Sequence, residues 1–313
     1  MRALGEAQWF LALRIVRDRE QRLLWLSQES YISGLITRYG VSENHFPTTP
    51  LPSDEVLQAN QGTHASAQEI HLYQSRIGSA QFAATSTRVD IAYACSALSS
   101  YLTNPSPRHL ELSQRLLSYL AGTKKLALCF QGNYDEDSIF TISSDAAFAN
   151  DPDTRRSHQG SIITMFGAAV DWKAIKQPTV TTSTTEAELL ALSEAAKQCF
   201  WWKRLFRGVQ FDPGHQINVQ CDNKQTLRLM QENVGKLNTK LRHVDIHHHW
   251  LRQEAQAGNV HLQWTPTAVM LADGLTKALP RQKHAQFVTA IGLTIHGHLV
   301  ITVIIKAYNV TAL

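Results

Sequence analysis

Four acidic side chains stand where chemistry could use them: Asp145, Glu188, Asp222 and Asp273. Asp145 lies near the end of "IFTISSDAAF" (139–148), which alternates like a strand. Asp222 ends "HQINVQCD" (215–222), a second strand-like run, where helical periodicity begins. Asp273 sits among apolar neighbours in "MLADGLTK" (270–277), and Glu188 heads an apolar stripe in "TTSTTEAELLALSEAAKQCFWW" (181–202). Each alone has a plainer reading; Asp222 would serve as a helix N-cap. Gathered together, carboxylates repel one another and need a compensating cation. Oxygen-only donors suit Mg²⁺ or Mn²⁺ rather than zinc. Two such ions about 4 Å apart would activate a water and stabilise the leaving oxygen of a phosphodiester.

The glutamate-rich stretch requires a choice. Ser183, Thr184 and Thr185 offer N-cap hydroxyls, and a helix should follow. At 100° per residue, Leu192, Ala195, Cys199, Trp202 and Phe206 fall within about 40° of Glu188. Glu186 falls about 160° away and Glu194 about 120° away, toward Lys197 and Arg204, as solvated helix charges would. A carboxylate at the head of a buried stripe must be paired, protonated or metal-bound, and that singles out Glu188.

The surrounding elements must bring these acids together. Residues 8–28 read as a β-hairpin and 29–40 as a short helix closed by Gly40. Pro47, Pro50 and Pro52 open a linker-like stretch, and 69–131 has a helical pattern. From 138 the texture changes. Three strands are followed by a helix at 184–207, a strand, helices at 223–233 and 239–257, a last strand in "GNVHLQWT", and a closing helix around 268–279. This order predicts an α/β fold: a mixed five-stranded sheet with flanking helices, preceded by a small hairpin and helical region. Strand ends that run into helices are where such sheets place their sites.

Composition narrows the class. The 313 residues suffice for two domains, and 43% are hydrophobic, enough for sizeable cores. A net charge of +4 is mildly basic and compatible with a nucleic-acid partner. Cys95, Cys129, Cys199 and Cys221 lack CxxC spacing and read as free thiols of a reducing compartment. The first residues lack a signal-peptide pattern, and "LVITVII" (299–305) is too short to span a bilayer, so no membrane role is expected. Arg155 and Arg156, in the loop after the first strand, and Lys173 and Lys176, before the acidic helix, are candidate phosphate contacts. His243 and His247, one helical turn apart, with His248 and His249 beside them, would offer zinc donors or an ordinary helix surface. Trp172, Trp201, Trp202, Trp250 and Trp264 read as core residues.

The stretch "SSDAAFANDPDTRRSHQGSIITMFGAAVDWKAIKQPTVTTSTTEAELLALSEAAKQ" resembles the ribonuclease H domain of Ty1/copia-type retrotransposon polyproteins, and "CDNKQTLRLM", "KLRHVDIHHHWLRQE" and "LADGLTKALPR" continue the match in order. Upstream, "LGEAQWFLALRIVRD", "LSQESYISGLITRYG", "STRVDIAYACSALSSYL" and "YLAGTKK" resemble the segment between the polymerase palm and that domain. The resemblance implies a ribonuclease H-like domain over 132–290. Before it would come the end of the palm (1–52), a linker (53–68) and a thumb- or connection-like helical region (69–131); a non-family tail (291–313) would follow. It implies that Asp145, Glu188, Asp222 and Asp273 are the catalytic set, with two Mg²⁺ (or Mn²⁺) as cofactors. The implied substrate is an RNA–DNA hybrid, and the implied partners are the polymerase palm and integrase of the same polyprotein, in cytoplasmic virus-like particles or the nucleus. The chain departs from the family in "SDAAF", with Ala147 where an acid is frequent, and in Val89 where proline is usual. It has no "YVDD"-type aspartate pair, so polymerase activity is not expected of it. The alternative is a catalytically silent nucleic-acid-binding remnant of a decayed element.

Overall fold

A computed structural model of the chain describes residues 5–42, 44–132, 139–214, 216–231 and 242–295. The alternating residues near the start form β1 (Trp9–Phe10), β2 (Leu13–Asp18) and β3 (Leu23–Ser27), all antiparallel. Helix α1 (Glu29–Tyr39) stops at Gly40, whose φ of 59° gives the left-handed cap. Helix α2 (Ala67–Ser86) starts with a capping box between Ser66 and Glu69. α3 (Ala92–Ser99) follows, and α4 (Pro107–Gly122) opens on Ser106 with Pro107 in its first turn. These helices enclose one core around Ile32, Leu35, Tyr73, Ile77, Leu98 and Leu116.

The helical pattern expected through residue 131 breaks before its end. Leu126–Gln131 is a strand, β4, paired antiparallel with β3 through Trp25↔Cys129 and Leu26↔Leu128. Ala127, Leu128 and Cys129 are consecutive and all buried. A short apolar run covered on both faces carries neither a helical nor an alternating signature.

The second sheet has the order β7-β6-β5-β8-β9. β5 (Phe140–Ala147), β6 (His158–Met165) and β7 (Ala168–Lys176) form an antiparallel meander. β8 (Asn218–Cys221) lies parallel to β5, and β9 (His261–Trp264) parallel to β8. Helices α5 (Thr184–Val209), α6 (Lys224–Gln231) and α7 (Arg242–Gln256) cover one face, over Phe140, Ile142, Leu192, Cys199, Val219 and Leu251. The expected sheet and its flanking helices are therefore present. In place of a helix around 268–279 there are two 3₁₀ turns, Thr267–Val269 and Leu271–Leu275, followed by α8 (Arg281–Ala290). Pro266 and Pro280 bracket that stretch, and Gly274 packs so tightly on Phe287 that a Cβ would meet the ring at 2.7 Å.

The two parts of the chain share a core. Val89, Ala92 and Leu128 pack with Ile162, Leu275, Phe287 and Ile291, across the boundary expected at 131/132. Trp172 Nε1 donates to the Ala84 carbonyl at 2.8 Å. β10 (Leu293–Ile295) pairs antiparallel with β4, giving the first sheet the order β1-β2-β3-β4-β10. Residues 291–295 thus belong to the fold, while 296–313 lie outside the described residues. The expected linker is also anchored, by an Arg108–Glu55 ion pair at 2.5 Å and by the Ala59 N–H on Asp153 at 2.8 Å.

The "TRVDIAYA" stretch supplies a buried polar lock. The Arg88 guanidinium, fully buried, grips Asp90 through two hydrogen bonds of 2.9 and 2.7 Å. Tyr119 donates to Asp90 at 2.6 Å, and its oxygen lies 2.8 Å from His284 Nε2 on α8. Of the tryptophans expected in the core, Trp201, on the outer face of α5, is 53% exposed, and Trp264, the last residue of β9, is 43% exposed. Among the described residues no helix is long and apolar enough to cross a membrane.

Candidate active site

The four acids arrive from four different elements. Asp145 is the sixth residue of β5 and is buried. Glu188 lies in the second turn of α5, also buried, on the stripe the helical wheel assigned to it. Asp222 follows β8 directly, and Asp273 is in the buried 3₁₀ turn before α8. The turn reaches the sheet because β6 offers Gly160 directly opposite Asp145. Hydroxyls fix two of the carboxylates: Thr276 Oγ1 donates to Asp145 at 2.6 Å, and Thr267 Oγ1 to Asp222 at 2.7 Å. Lys277 forms an ion pair with Asp273, one helical turn earlier in sequence.

The electrostatics follow from burial and like charge. Burial raises the Asp145 pKa to about 6; the Thr276 hydroxyl works against that rise, and the charges of Asp273 and Asp222 add to it. Burial, with Asp145 and Asp222 nearby, pushes Glu188 well above the usual carboxylate range, although the Ala146 backbone and Lys277 oppose the shift. For Lys277 burial disfavours the charge, but Asp273 first, then Asp145 and Asp222, raise its pKa overall. Glu188 Oε2 is buried without a hydrogen-bond partner. Mutually repelling carboxylates and an orphaned carboxylate oxygen are what a hard divalent cation would relieve, so the donor set fits Mg²⁺ or Mn²⁺.

The other glutamates depart from the wheel's reading to different degrees. Glu186 is buried, not solvated: its carboxylate accepts from Thr182 N and Oγ1 at 2.7 and 2.8 Å, and its own N–H is capped by Ser183 Oγ at 3.2 Å. A wheel describes the body of a helix, whereas at the open N-terminus the preceding loop folds over the first turn. Glu194 is half-buried, paired with Lys173 at 2.8 Å and Lys197 at 3.7 Å.

The basic candidates divide. Arg155 and Arg156 are exposed in the β5–β6 loop. Lys173 is bound to Glu194, and Lys176 is turned onto buried Asp151, which also takes the Thr154 N–H and hydroxyl. Lys176 thus holds the loop that presents the two arginines. Of the histidines, His247 Nδ1 lies 2.8 Å from Ser193 Oγ and joins α7 to α5, and His249 is exposed. The side chains of His243 and His248 lie outside the described residues.

Residue-type reasoning did not single out Thr267, Thr276, Lys277 or Cys221. Hydroxyls and a lysine three or four residues from an acid are the signal available for Thr276 and Lys277. Cys221 Sγ, a Glu188 oxygen and an Asp222 oxygen lie within 4.8 Å of one another.

No family model matches the chain. It is 34% identical over 287 residues to the retrovirus-related Pol polyprotein from transposon TNT 1-94 of Nicotiana tabacum, covering 90% of this chain and 21% of the relative. It is 26% identical over 215 residues to the transposon Ty1-DR5 Gag-Pol polyprotein of Saccharomyces cerevisiae, covering 68% of this chain and 12% of that one. The chain therefore spans about a fifth or less of the length of these relatives. Among solved structures, LC11-RNase H1, isolated from compost, overlaps 44% of this chain and 91% of its own at 18% identity and a TM-score of 0.33. By a likeness that runs along nine-tenths of its length, the chain belongs to the Pol polyproteins of Ty1/copia-type retrotransposons.

Proposed function

We propose that this chain hydrolyses the RNA strand of RNA–DNA hybrids. The observation that carries the reading is the convergence of Asp145, Glu188, Asp222 and Asp273 from β5, α5, the end of β8 and a 3₁₀ turn, with Asp145 and Glu188 both driven upward by burial and by neighbouring carboxylates. Four buried or half-buried acids in one place are a liability for folding and have a use if they bind cations. These residues would hold two Mg²⁺ or Mn²⁺ ions, which when bound supply activation of a water and charge compensation at the leaving 3′-oxygen. Thr276 and Thr267 orient the Asp145 and Asp222 carboxylates, and Lys277 balances Asp273. Arg155 and Arg156, with Lys173 where its pair with Glu194 opens, would take phosphates of the hybrid and position it without reading sequence. Discrimination of RNA would fall to contacts with the 2′-hydroxyl in the wide minor groove. In the intact polyprotein, polymerase and integrase segments would be the partners of this piece.

The test is cleavage of an end-labelled RNA–DNA hybrid with Mg²⁺ by the whole chain, beside Asp145→Asn and Glu188→Gln. Cleavage by the wild type and its loss in both variants is the expected result. A folded wild type that binds the hybrid and leaves it intact would replace the nuclease reading with that of a silent nucleic-acid-binding remnant.

A further inference from the structure

Cys221 is the last residue of β8, fully buried, next in sequence to Asp222 and beside Glu188. Its thiol makes one weak hydrogen bond, to the Asn223 carbonyl at 4.0 Å. Glu188 Oε2, on a side chain more than nine-tenths buried, has no hydrogen-bond partner. The thiol sulfur and one oxygen from each acid lie within 4.8 Å of one another. Tetrahedral zinc with Zn–S near 2.3 Å and Zn–O near 2.1 Å holds such donors roughly 3.5 Å apart, so small rotations of the two carboxylates would close the set. One sulfur with two oxygens differs in kind from the all-oxygen set that suits magnesium, because thiolate selects zinc-like ions.

We propose that Cys221, Glu188 and Asp222 form a site for a thiophilic divalent ion of the zinc or cadmium class, and that its occupation withdraws two carboxylates from the acidic cluster. Binding forms one metal–sulfur and two metal–oxygen bonds, and the thiol proton is released to solvent. A fourth ligand, such as water, would complete a tetrahedral set. The inhibitory consequence rests on the nuclease reading; the binding itself does not. All four cysteines are buried, but among the described residues Cys95, Cys129 and Cys199 enter no metal-capable group.

The experiment is a Co²⁺ titration of the full chain, followed by the near-ultraviolet absorption that thiolate ligation gives, with Zn²⁺ added afterward as competitor. Wild type, Cys221→Ser and Glu188→Gln are compared, each checked for folding by circular dichroism. The expected result is a band saturating at one equivalent, displaced by one equivalent of Zn²⁺. It should be absent in Cys221→Ser, and Glu188→Gln should bind at least about tenfold more weakly. A folded wild type without the band, or an equal band in Cys221→Ser, would overturn the proposal. Should Cys221→Ser not fold, unchanged Co²⁺ affinity in Glu188→Gln overturns it and a tenfold loss supports it. Hybrid cleavage in Mg²⁺ is measured on the same wild-type sample. A band without cleavage sinks the nuclease reading alone, and cleavage without a band sinks this proposal alone.

Discussion

Asp145 and Gly160 face each other across the β5–β6 pair, and the hydrogen at Gly160 is what lets the turn carrying Asp273 lie on the sheet. A Cβ there would meet Leu275 Cβ at 2.7 Å and the Ala272 carbonyl at 3.0 Å, on the two residues that flank Asp273 and Gly274. Gly160→Ala should therefore cost about 1–3 kcal/mol in a urea melt. It should also cut hybrid cleavage at least about tenfold, since misplacement by about 1 Å is that expensive in a catalytic site. Full activity in the variant would show that the turn shifts without moving Asp273.

Asp145 also makes a stability prediction with a definite sign. Its pKa rises from 3.8 to about 6 on folding, so the folded chain holds that proton more tightly than the unfolded one. The contribution is fully present below pH 3.8 and is lost as pH rises through about 6. In cation-free buffer the loss amounts to on the order of 2–3 kcal/mol by neutral pH. Asp145→Asn should then melt higher than the wild type at pH 7.5 without Mg²⁺, while being inactive. Added Mg²⁺ should raise the wild-type Tm more at pH 7.5 than at pH 5. Thermal melts at the two pH values check both statements; a destabilised Asp145→Asn at pH 7.5 would contradict them.

Thr276 tunes the same carboxylate through its 2.6 Å hydrogen bond. Thr276→Val keeps the shape and removes the donor that favours the charged form. The acid limb of the kcat/KM profile should move up by about one pH unit, with Thr276→Ser restoring it. A pH–rate series on the three proteins decides this.

The Tyr119–His284 contact ties the helical region to α8, and it rests on the Arg88–Asp90 ion pair, both of whose side chains are fully inaccessible. Removing one partner leaves an uncompensated buried charge, so Asp90→Ala should cost about 3–5 kcal/mol. Tyr119→Phe, which deletes one hydroxyl shared by Asp90 and His284, should cost about 1–2 kcal/mol. Because the core around Leu128, Ile162 and Phe287 is shared, denaturation followed by tryptophan fluorescence and by circular dichroism should give one coincident transition.

Glu188 was legible because a carboxylate heading an apolar stripe has few physical excuses, and the strand order around it was legible because short alternating runs and long periodic ones differ in texture. Burial of Glu186 was not, since it depends on the loop at 177–183 folding back over the helix start. The turn around Asp273 looked helical because its apolar spacing is helical. Only the contacts of Gly160 and Gly274 with neighbours far away in sequence show why a tighter turn is kept. β4 was invisible for the same reason: Ala127 and Cys129 gain their cover from Leu23 and Trp25 of β3, not from anything local. The lysines read as equal phosphate contacts are distinguished by acids that no spacing rule connects to them, Glu194 for Lys173 and Asp151 for Lys176.

Strand β10 comes after the whole second sheet, yet it hydrogen-bonds to β4, which precedes that sheet. During synthesis the first sheet must therefore wait, with one side of β4 uncovered, until nearly the last described residue has left the ribosome. The late arrival couples the two halves in time as well as in space: the first sheet gains its last strand only after the second sheet has been made. A nascent or clipped chain that stops before Leu293 would present β4's unpaired backbone groups to whatever strand is nearest, including the same strand of another copy.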